Sequence, residues 1–330
     1  MRFTKLFAAV LCSLAALAAS GQNLRDEIAA NPGKSGGVYY VYTYDNPVLT
    51  PAPKGYKPFY ISHYGRHGSR WLLHDSEYDE VMAVFRAADA ANAFTERGRE
   101  VYGRVKRVYD DGIDRGGDLS PLGAEQHREI AARMYRNFPE VFRSGAVVDA
   151  QATLVVRCVL SMAAFCERLK ELNPRLEVSR TAGRRTTRYL NFYSKPTNPT
   201  LSREYLDFID KGGWQEEYER IGDRFVRPGR LMSELFADGE FVRTIDAQKL
   251  MKGLFYFAAD MQNVGLGISF YDLFTTDELY GLNVYDNYKY YVIRGPSPLN
   301  RRFPQYYAKA LLEDFLTRAD REVGGQAVLG

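Results

Sequence analysis

The stretch Ser62–Arg70 constrains the fold of this 330-residue chain more than any other part of its sequence. Its residues are SHYGRHGSR, and a glycine stands on each side of the Arg66–His67 pair. The aromatic run before it, Pro58–Ile61, predicts a strand. A strand that ends in such a turn can place one imidazole and two guanidiniums around a small anion. Phosphate fits best, because guanidiniums bind its oxygens bidentately and an imidazole nitrogen can attack phosphorus.

Two later segments carry helix-start patterns. The segment Leu119–Gln126, LSPLGAEQ, has a serine N-cap followed by proline at the first helical position. The segment Val156–Phe165 puts Arg157 at the start of an apolar helix. A phosphate at that position would gain both a guanidinium and the helix N-terminus.

Together the three segments resemble, in order and spacing, the signature regions of the histidine acid phosphatases. The likeness is strongest to the bacterial, exported members of the branch that includes multiple inositol polyphosphate phosphatases and phytases. It implies that His67 attacks phosphorus and forms a phosphohistidine, which water then hydrolyses. It also implies that Arg66, Arg70 and Arg157 bind the phosphate, that the substrate is a small phosphate ester such as an inositol polyphosphate, and that no metal or other cofactor takes part.

The sequence departs from this family pattern in two places. Trp71 and Leu72 follow the second arginine, where the family usually continues to a proline, so we expect a different rim beside the substrate. The family also needs a later histidine, followed by Asp or Ala-Glu, that supplies the general acid. The chain has four histidines, and none follows residue 127.

We therefore expect the general acid to lie beyond residue 330, and we interpret residues 320–330 as the lead-in to a missing strand. On this interpretation the chain is truncated just before its second catalytic element. The alternative to a working phosphomonoester hydrolase is a catalytically impaired member that binds phosphate. A third hypothesis is a secreted carbohydrate-binding or scaffold protein in which the Arg-His-Gly turn is accidental.

The other histidines are weaker candidates. His63 could lie near the pocket, but a structural role fits equally well. We expect His74 to sit in a loop and His127 to face outward on a helix. Two basic clusters could meet a highly phosphorylated substrate or could be solvated surface; they contain Arg184, Arg185, Arg188, Arg301 and Arg302.

The first twenty residues predict a signal peptide, with Arg2 and Lys5 before an uncharged apolar run. We therefore expect export to the periplasm or the cell exterior, and no membrane span. Removal of this segment lowers the Lys plus Arg count from 44 to 42, against 41 Asp plus Glu. A nearly neutral chain gives no support for a nucleic-acid partner. Cys158 and Cys166 stand too far apart on one predicted helix for a disulfide, so we expect free thiols.

Strand patterns occur at residues 36–46, 147–153 and 176–179, with helical patterns between and after them. This order predicts an α/β fold. The family resemblance implies, more specifically, a mixed-sheet three-layer sandwich with a helical insertion, or cap. The predicted domains are the signal peptide at residues 1–20 and a phosphatase domain at residues 21–330. We expect the cap segments at about residues 76–115 and 198–265.

Overall fold

The computed structural model describes residues 23–45, 47–143, 145–190, 203–300 and 303–329. The predicted signal peptide and Arg301–Arg302 lie outside these residues. The helices are α1 (23–30), α2 (Asp75–Ala90), α3 (Glu96–Gly112), α4 (Pro121–Asn137), α5 (Val156–Leu172), α6 (Arg184–Leu190), α7 (Arg203–Lys211), α8 (Gln215–Phe225), α9 (Gly229–Leu235), α10 (Gly239–Arg243), α11 (Ala247–Val264), α12 (Thr276–Ile293) and α13 (Phe303–Leu329). Two 3₁₀ segments (Pro32–Tyr39 and Tyr271–Leu273) and two strands, β1 (Val147–Ala152) and β2 (Glu177–Ala182), complete the described elements.

The two strands form a parallel pair, in register from Val147 opposite Glu177 to Ala152 opposite Ala182. Helix α5 connects them and packs against the sheet and α4, as a parallel pair requires. This βαβ unit agrees with the predicted α/β class. The mixed sheet and the three-layer sandwich are not seen, since the described residues contain these two strands alone.

The predicted strand at residues 36–46 is wrong for the residues described there. Residues 32–41, which we call the strap, begin as a 3₁₀ segment, and Gly37 has a φ of +54°. Side chains satisfy the strap's backbone in place of a neighbouring strand. Val41 N–H donates to the Gln262 side chain at 3.0 Å, while Asn263 and Asn283 donate to the carbonyls of Tyr39 and Ser35 at 2.8 and 2.9 Å.

The predicted strand at Pro58–Ile61 is also absent. No described strand lies beside this run to complete a ladder of hydrogen bonds. Its β-forming composition is therefore insufficient by itself, because a strand is defined by its partner as well as by its residues.

Helix starts follow the sequence closely, because their caps are local. Thr95, Ser120 and Thr275 each accept a backbone N–H with their side chains at the starts of α3, α4 and α12. Helix α2 begins at Asp75, and Glu77 accepts the His74 N–H at 2.8 Å. At the other end of the chain, α13 continues to Leu329, so residues 320–329 are helical and not the extended lead-in that we expected.

Two hydrophobic cores position the site, and a third, small cluster contains Trp214, Val292 and Ile293. The larger joins α2, α3, α9, α11 and α12, and it includes a stack of Phe85, Phe94, Tyr102 and Phe236 with ring centroids 5.4–6.1 Å apart. The smaller lies under α4, α5 and the sheet; its buried members are Ala131, Phe142, Leu169 and Leu176. No helix among the described residues is both long enough and apolar enough to cross a membrane.

Helix α3 offers a test of this packing. A Cβ on Gly98 would lie 1.9 Å from the Leu235 carbonyl oxygen of α9, whereas a Cβ on Gly103 of the same helix would meet nothing within 4 Å. We expect Gly98→Ala to lower the free energy of unfolding by about 1–3 kcal/mol through overpacking. Gly103→Ala should raise it by about 0.5–1 kcal/mol, because alanine loses less backbone entropy. Urea denaturation followed by circular dichroism measures both, and equal effects of the two variants would refute the close helix contact.

Candidate active site

The turn at residues 66–70 fits against α4 through two glycines. A Cβ on Gly68 would lie 2.2 Å from the Gly123 carbonyl oxygen, and a Cβ on Gly123 would lie 2.1 Å from the Ser69 carbonyl oxygen. Neither position has room for a side chain. The first two sequence segments therefore meet backbone to backbone.

Three helices fix the same turn by hydrogen bonds. Gly68 N–H donates to Ser161 Oγ of α5 at 3.1 Å, and Ser69 N–H donates to Gln126 Oε1 of α4 at 2.8 Å. Gln126 Nε2 donates back to Ser69 Oγ at 2.9 Å, and that hydroxyl donates to Asn263 Oδ1 of α11 at 2.7 Å. The two residues after His67 are thus anchored to helices of both hydrophobic cores.

The His67 ring has one defined tautomer. Its Nδ1 lies 2.8 Å from the Gly68 carbonyl, which can only accept, so Nδ1 carries the proton and Nε2 keeps its lone pair. Burial lowers the pKa of His67 to about 4; the Gly68 bond opposes this shift, and the positive charges of Arg66, Arg157 and Arg70 add to it. The imidazole is therefore neutral at pH 7, with a nucleophilic nitrogen among three guanidiniums.

Backbone carbonyls orient all three arginines. Arg66 Nη1 donates to Val38 of the strap at 2.9 Å, and Arg70 Nη1 donates to Trp71 at 2.6 Å. Arg70 is 8% exposed, and its guanidinium carbon lies 5.0 Å from the centre of the Tyr39 ring. Arg157, in the first turn of α5, donates to the Gly117 carbonyl at 3.2 Å.

The structure thus brings Arg66, Arg70 and Arg157 together around His67, and their role as phosphate ligands stays a prediction. Mutual repulsion between them favours an anion in their midst. The described residues contain no cluster of histidine, cysteine, aspartate and glutamate suited to a metal ion.

The other sequence candidates have mixed outcomes. His127 does not face outward: it is 7% exposed, and its Nε2 lies 3.1 Å from the Arg66 carbonyl. Since it follows Gly123 by four residues, it shares the helix face that meets the turn. His63 stacks on Phe165 with centroids 5.6 Å apart, which favours its structural interpretation. His74 is the N-cap residue of α2.

Trp71 and Leu72 are 8% and 1% exposed, so they pack inside rather than forming a rim. Trp71 Nε1 donates to Asp111 at 2.7 Å, and Leu72 N–H donates to the Tyr78 hydroxyl at 3.0 Å. Cys158 and Cys166 are free thiols, as expected, although Cys158 is only half-buried. Arg184 and Arg185 are exposed at the start of α6.

The sequence analysis did not identify the polar residues of α11. Asp260 and Asn263 are 0% and 4% exposed within an otherwise apolar helix face. Their spacing of three residues places them side by side. The signal that could have identified them is the presence of polar residues at core positions of an apolar helix. Buried polar groups are expected to have hydrogen-bond partners, so such positions indicate a polar contact inside the fold.

Comparison with solved structures identifies the fold. The multiple inositol polyphosphate phosphatase of Bifidobacterium longum, in complex with inositol hexasulfate, matches with a TM-score of 0.70 at 18% identity, covering 86% of this chain and 74% of that chain. The chain has the fold of this phosphatase. The apo form of the same enzyme matches with a TM-score of 0.69 at 19% identity (87% and 75% covered), and its phosphate complex with 0.67 at 19% (84% and 71% covered). No protein-family model and no curated protein matches the sequence.

The resemblance drawn from the three motif segments is thus confirmed for the fold. At this identity the likeness shows the fold alone, and the roles of the site residues are proposals.

The ionisation of His67 is directly testable. The pKa of His67 is about 4 in the folded protein, below the ordinary 6.5. Between pH 4 and pH 6.5 this histidine is therefore protonated in the unfolded chain but neutral in the folded one. The stabilising contribution of neutral His67 should be complete above pH 6.5 and be lost as the pH falls through 4. NMR titration of the ring resonances, assigned with His67→Asn, should show no protonation of His67 above pH 5. A midpoint near 6.5 would contradict the buried, arginine-surrounded environment.

Proposed function

We propose that this protein is a phosphomonoester hydrolase that acts through a phosphohistidine at His67, with inositol polyphosphates or related phosphate esters as substrates. The observation that carries the proposal is the neutral His67 ring, held through Nδ1 by Gly68 and surrounded by Arg66, Arg70 and Arg157. The fold shared with an inositol polyphosphate phosphatase supports the substrate class.

In the proposed reaction Nε2 of His67 forms a bond to phosphorus while the ester P–O bond breaks. The arginines neutralise the three equatorial oxygens, where the charge of the transition state is spread. Water then attacks the phosphohistidine, the N–P bond breaks, and inorganic phosphate leaves. The departing alkoxide needs a proton, and we assign that general acid to none of the described residues.

A second candidate function is phosphate binding with slow turnover. None of the described residues after residue 127 is a histidine, whereas the resembling family takes a further phosphate ligand and its acid from a later histidine segment, so a site built from the described residues alone would turn over slowly. Loss of a general acid typically lowers the rate by about 10²–10⁴-fold. On this hypothesis the site binds phosphate normally but releases it from esters slowly.

The surroundings of the site extend the proposal. Exposed Arg184 and Arg185 would meet outlying phosphates of a polyphosphorylated substrate. We propose that the helices within residues 76–115 and 203–265 form the cap beside the site. We also propose export to the periplasm or cell exterior, and action without a cofactor or a nucleic-acid partner.

Release of inorganic phosphate from inositol hexakisphosphate and from an aryl phosphate tests the function. We expect His67→Ala to abolish release, because no other group replaces its nucleophilic nitrogen. Arg157→Ala should lower kcat by about 10²–10³-fold, the usual cost of one transition-state ligand. The matched histidine control, His74→Ala, should release phosphate like the unchanged protein.

Release that survives in His67→Ala would refute the phosphohistidine mechanism. If the folded, unchanged protein binds phosphate with no release from either ester, the binding function replaces the hydrolase. If it neither binds nor releases phosphate, both candidates fail.

A further inference from the structure

A buried carboxyl group lies directly behind the arginine cluster. The Asp260 side chain is fully buried on α11, and Asn263 Nδ2 lies 3.4 Å from its Oδ1. Its Oδ2 is buried without a close side-chain donor, and the Leu72 N–H is the one backbone donor that favours its charged form. A carboxylate without full hydrogen bonding is costly to bury, so its charge state depends on the charges around it.

Four ionisable side chains from three elements face this carboxyl group. Arg70 of the turn, Glu77 and Tyr78 of α2 and Tyr39 of the strap all act on it electrostatically. The Asn263 amide beside Asp260 donates to the Tyr39 carbonyl at 2.8 Å, and the Arg70 guanidinium lies over the ring of the same tyrosine. Burial raises the pKa values of Tyr78 and Tyr39, which keeps both phenols neutral. Arg70 is therefore the cation in this group, and its buried Nε likewise has no hydrogen-bond partner among the described residues.

The balance of these effects leaves the carboxyl group close to its ionisation point. Burial raises the pKa of Asp260 to about 7, while Arg70 and the Asn263 amide favour the charged form and Glu77 opposes it. The same residue is linked to the turn by hydrogen bonds. Asn263 joins Asp260 to Ser69, whose N–H and hydroxyl are both engaged beside His67.

We propose that Asp260 is the counter-charge of Arg70 in the empty site and takes up a proton from solvent when a doubly charged anion binds there. This inference rests on the proposed function only in requiring that Arg70 receives the anion. The physical reason is competition for one guanidinium. A bound dianion takes over the charge of Arg70 and adds negative potential in a poorly screened interior, both of which favour the neutral carboxylic acid.

Asp260 is a positioning residue in this scheme. Its complete burial keeps it from touching a substrate or protonating a leaving group. Proton uptake limits the change in net charge when the anion enters, and it makes anion affinity fall as the pH rises through the pKa of the carboxyl group.

The test uses inositol hexasulfate, whose sulfate groups do not titrate near neutral pH. Calorimetric titration at pH 7 in two buffers of different ionisation enthalpy gives the number of protons taken up per anion bound. We expect the unchanged protein to take up about half a proton more than Asp260→Asn, because a carboxyl group at its pKa is half ionised. Any contribution from His67 is common to both proteins and cancels in the difference.

The matched control is Asp286→Asn. Asp286 is also a buried acid, 8% exposed on α12, but its partner is the Tyr256 hydroxyl at 3.0 Å and not an arginine of the site. Its variant should take up protons like the unchanged protein. Equal proton uptake by Asp260→Asn and the unchanged protein, with both binding the anion, would overturn the inference and leave the proposed function intact.

The unchanged protein supplies an independent measurement if Asp260→Asn fails to fold. Its affinity for inositol hexasulfate should fall by up to about tenfold per pH unit above pH 7. A constant affinity between pH 6 and pH 9 would overturn the inference. Failure of the folded, unchanged protein to bind the anion would overturn the inference and the proposed function together.

Discussion

The backbone contact between Gly68 and Gly123 is the constraint on which the site depends. It brings the start of α4 against the turn so closely that neither residue can carry a side chain. Only at this separation can Gln126 reach the Ser69 amide and His127 the Arg66 carbonyl. The His67 ring gains its orientation from the Gly68 carbonyl of the same short turn. A shift of α4 would therefore displace the proposed nucleophile and the backbone of one arginine together.

Charge concentration is the second constraint. A nearly neutral chain brings three guanidiniums around one imidazole, and their repulsion has to be compensated by fixed dipoles. The carbonyls of Val38, Trp71 and Gly117 each accept from one arginine. These bonds orient the guanidiniums before any ligand arrives, which reduces the ordering cost of binding an anion. Burial keeps His67 unprotonated and the same positive charges add to that effect, so one cluster can both hold an anion and preserve the nucleophile.

The sequence predicted those features that depend on residues close together in the chain, such as helix caps. The caps at Thr95, Ser120 and Thr275 depend on residues three positions away, and the predicted Ser120 cap is confirmed. The contact between Ser69 and Asn263 spans 194 positions, and no periodicity or motif links two residues at that separation. The strap also shows that contacts distant in the sequence decide local structure. Its alternating tyrosines have strand propensity, but amide side chains of α11 and α12 take its hydrogen bonds, so that propensity is overridden.

The site also joins the two hydrophobic cores. The Arg70 guanidinium lies over Tyr39 of the strap, which packs against the larger core, whereas Arg157 projects from α5 of the smaller one. The smaller core has few buried residues, so much of its attachment comes from the anchors of the turn: Gln126 and Ser161 on one side and Asn263 on the other. An anion that bridges Arg70 and Arg157 would add a further link between the two cores. Because such a ligand binds only the folded state, it stabilises the union of the cores as well as filling the pocket. Anion binding and the docking of the βαβ unit onto the helical core are therefore parts of one equilibrium.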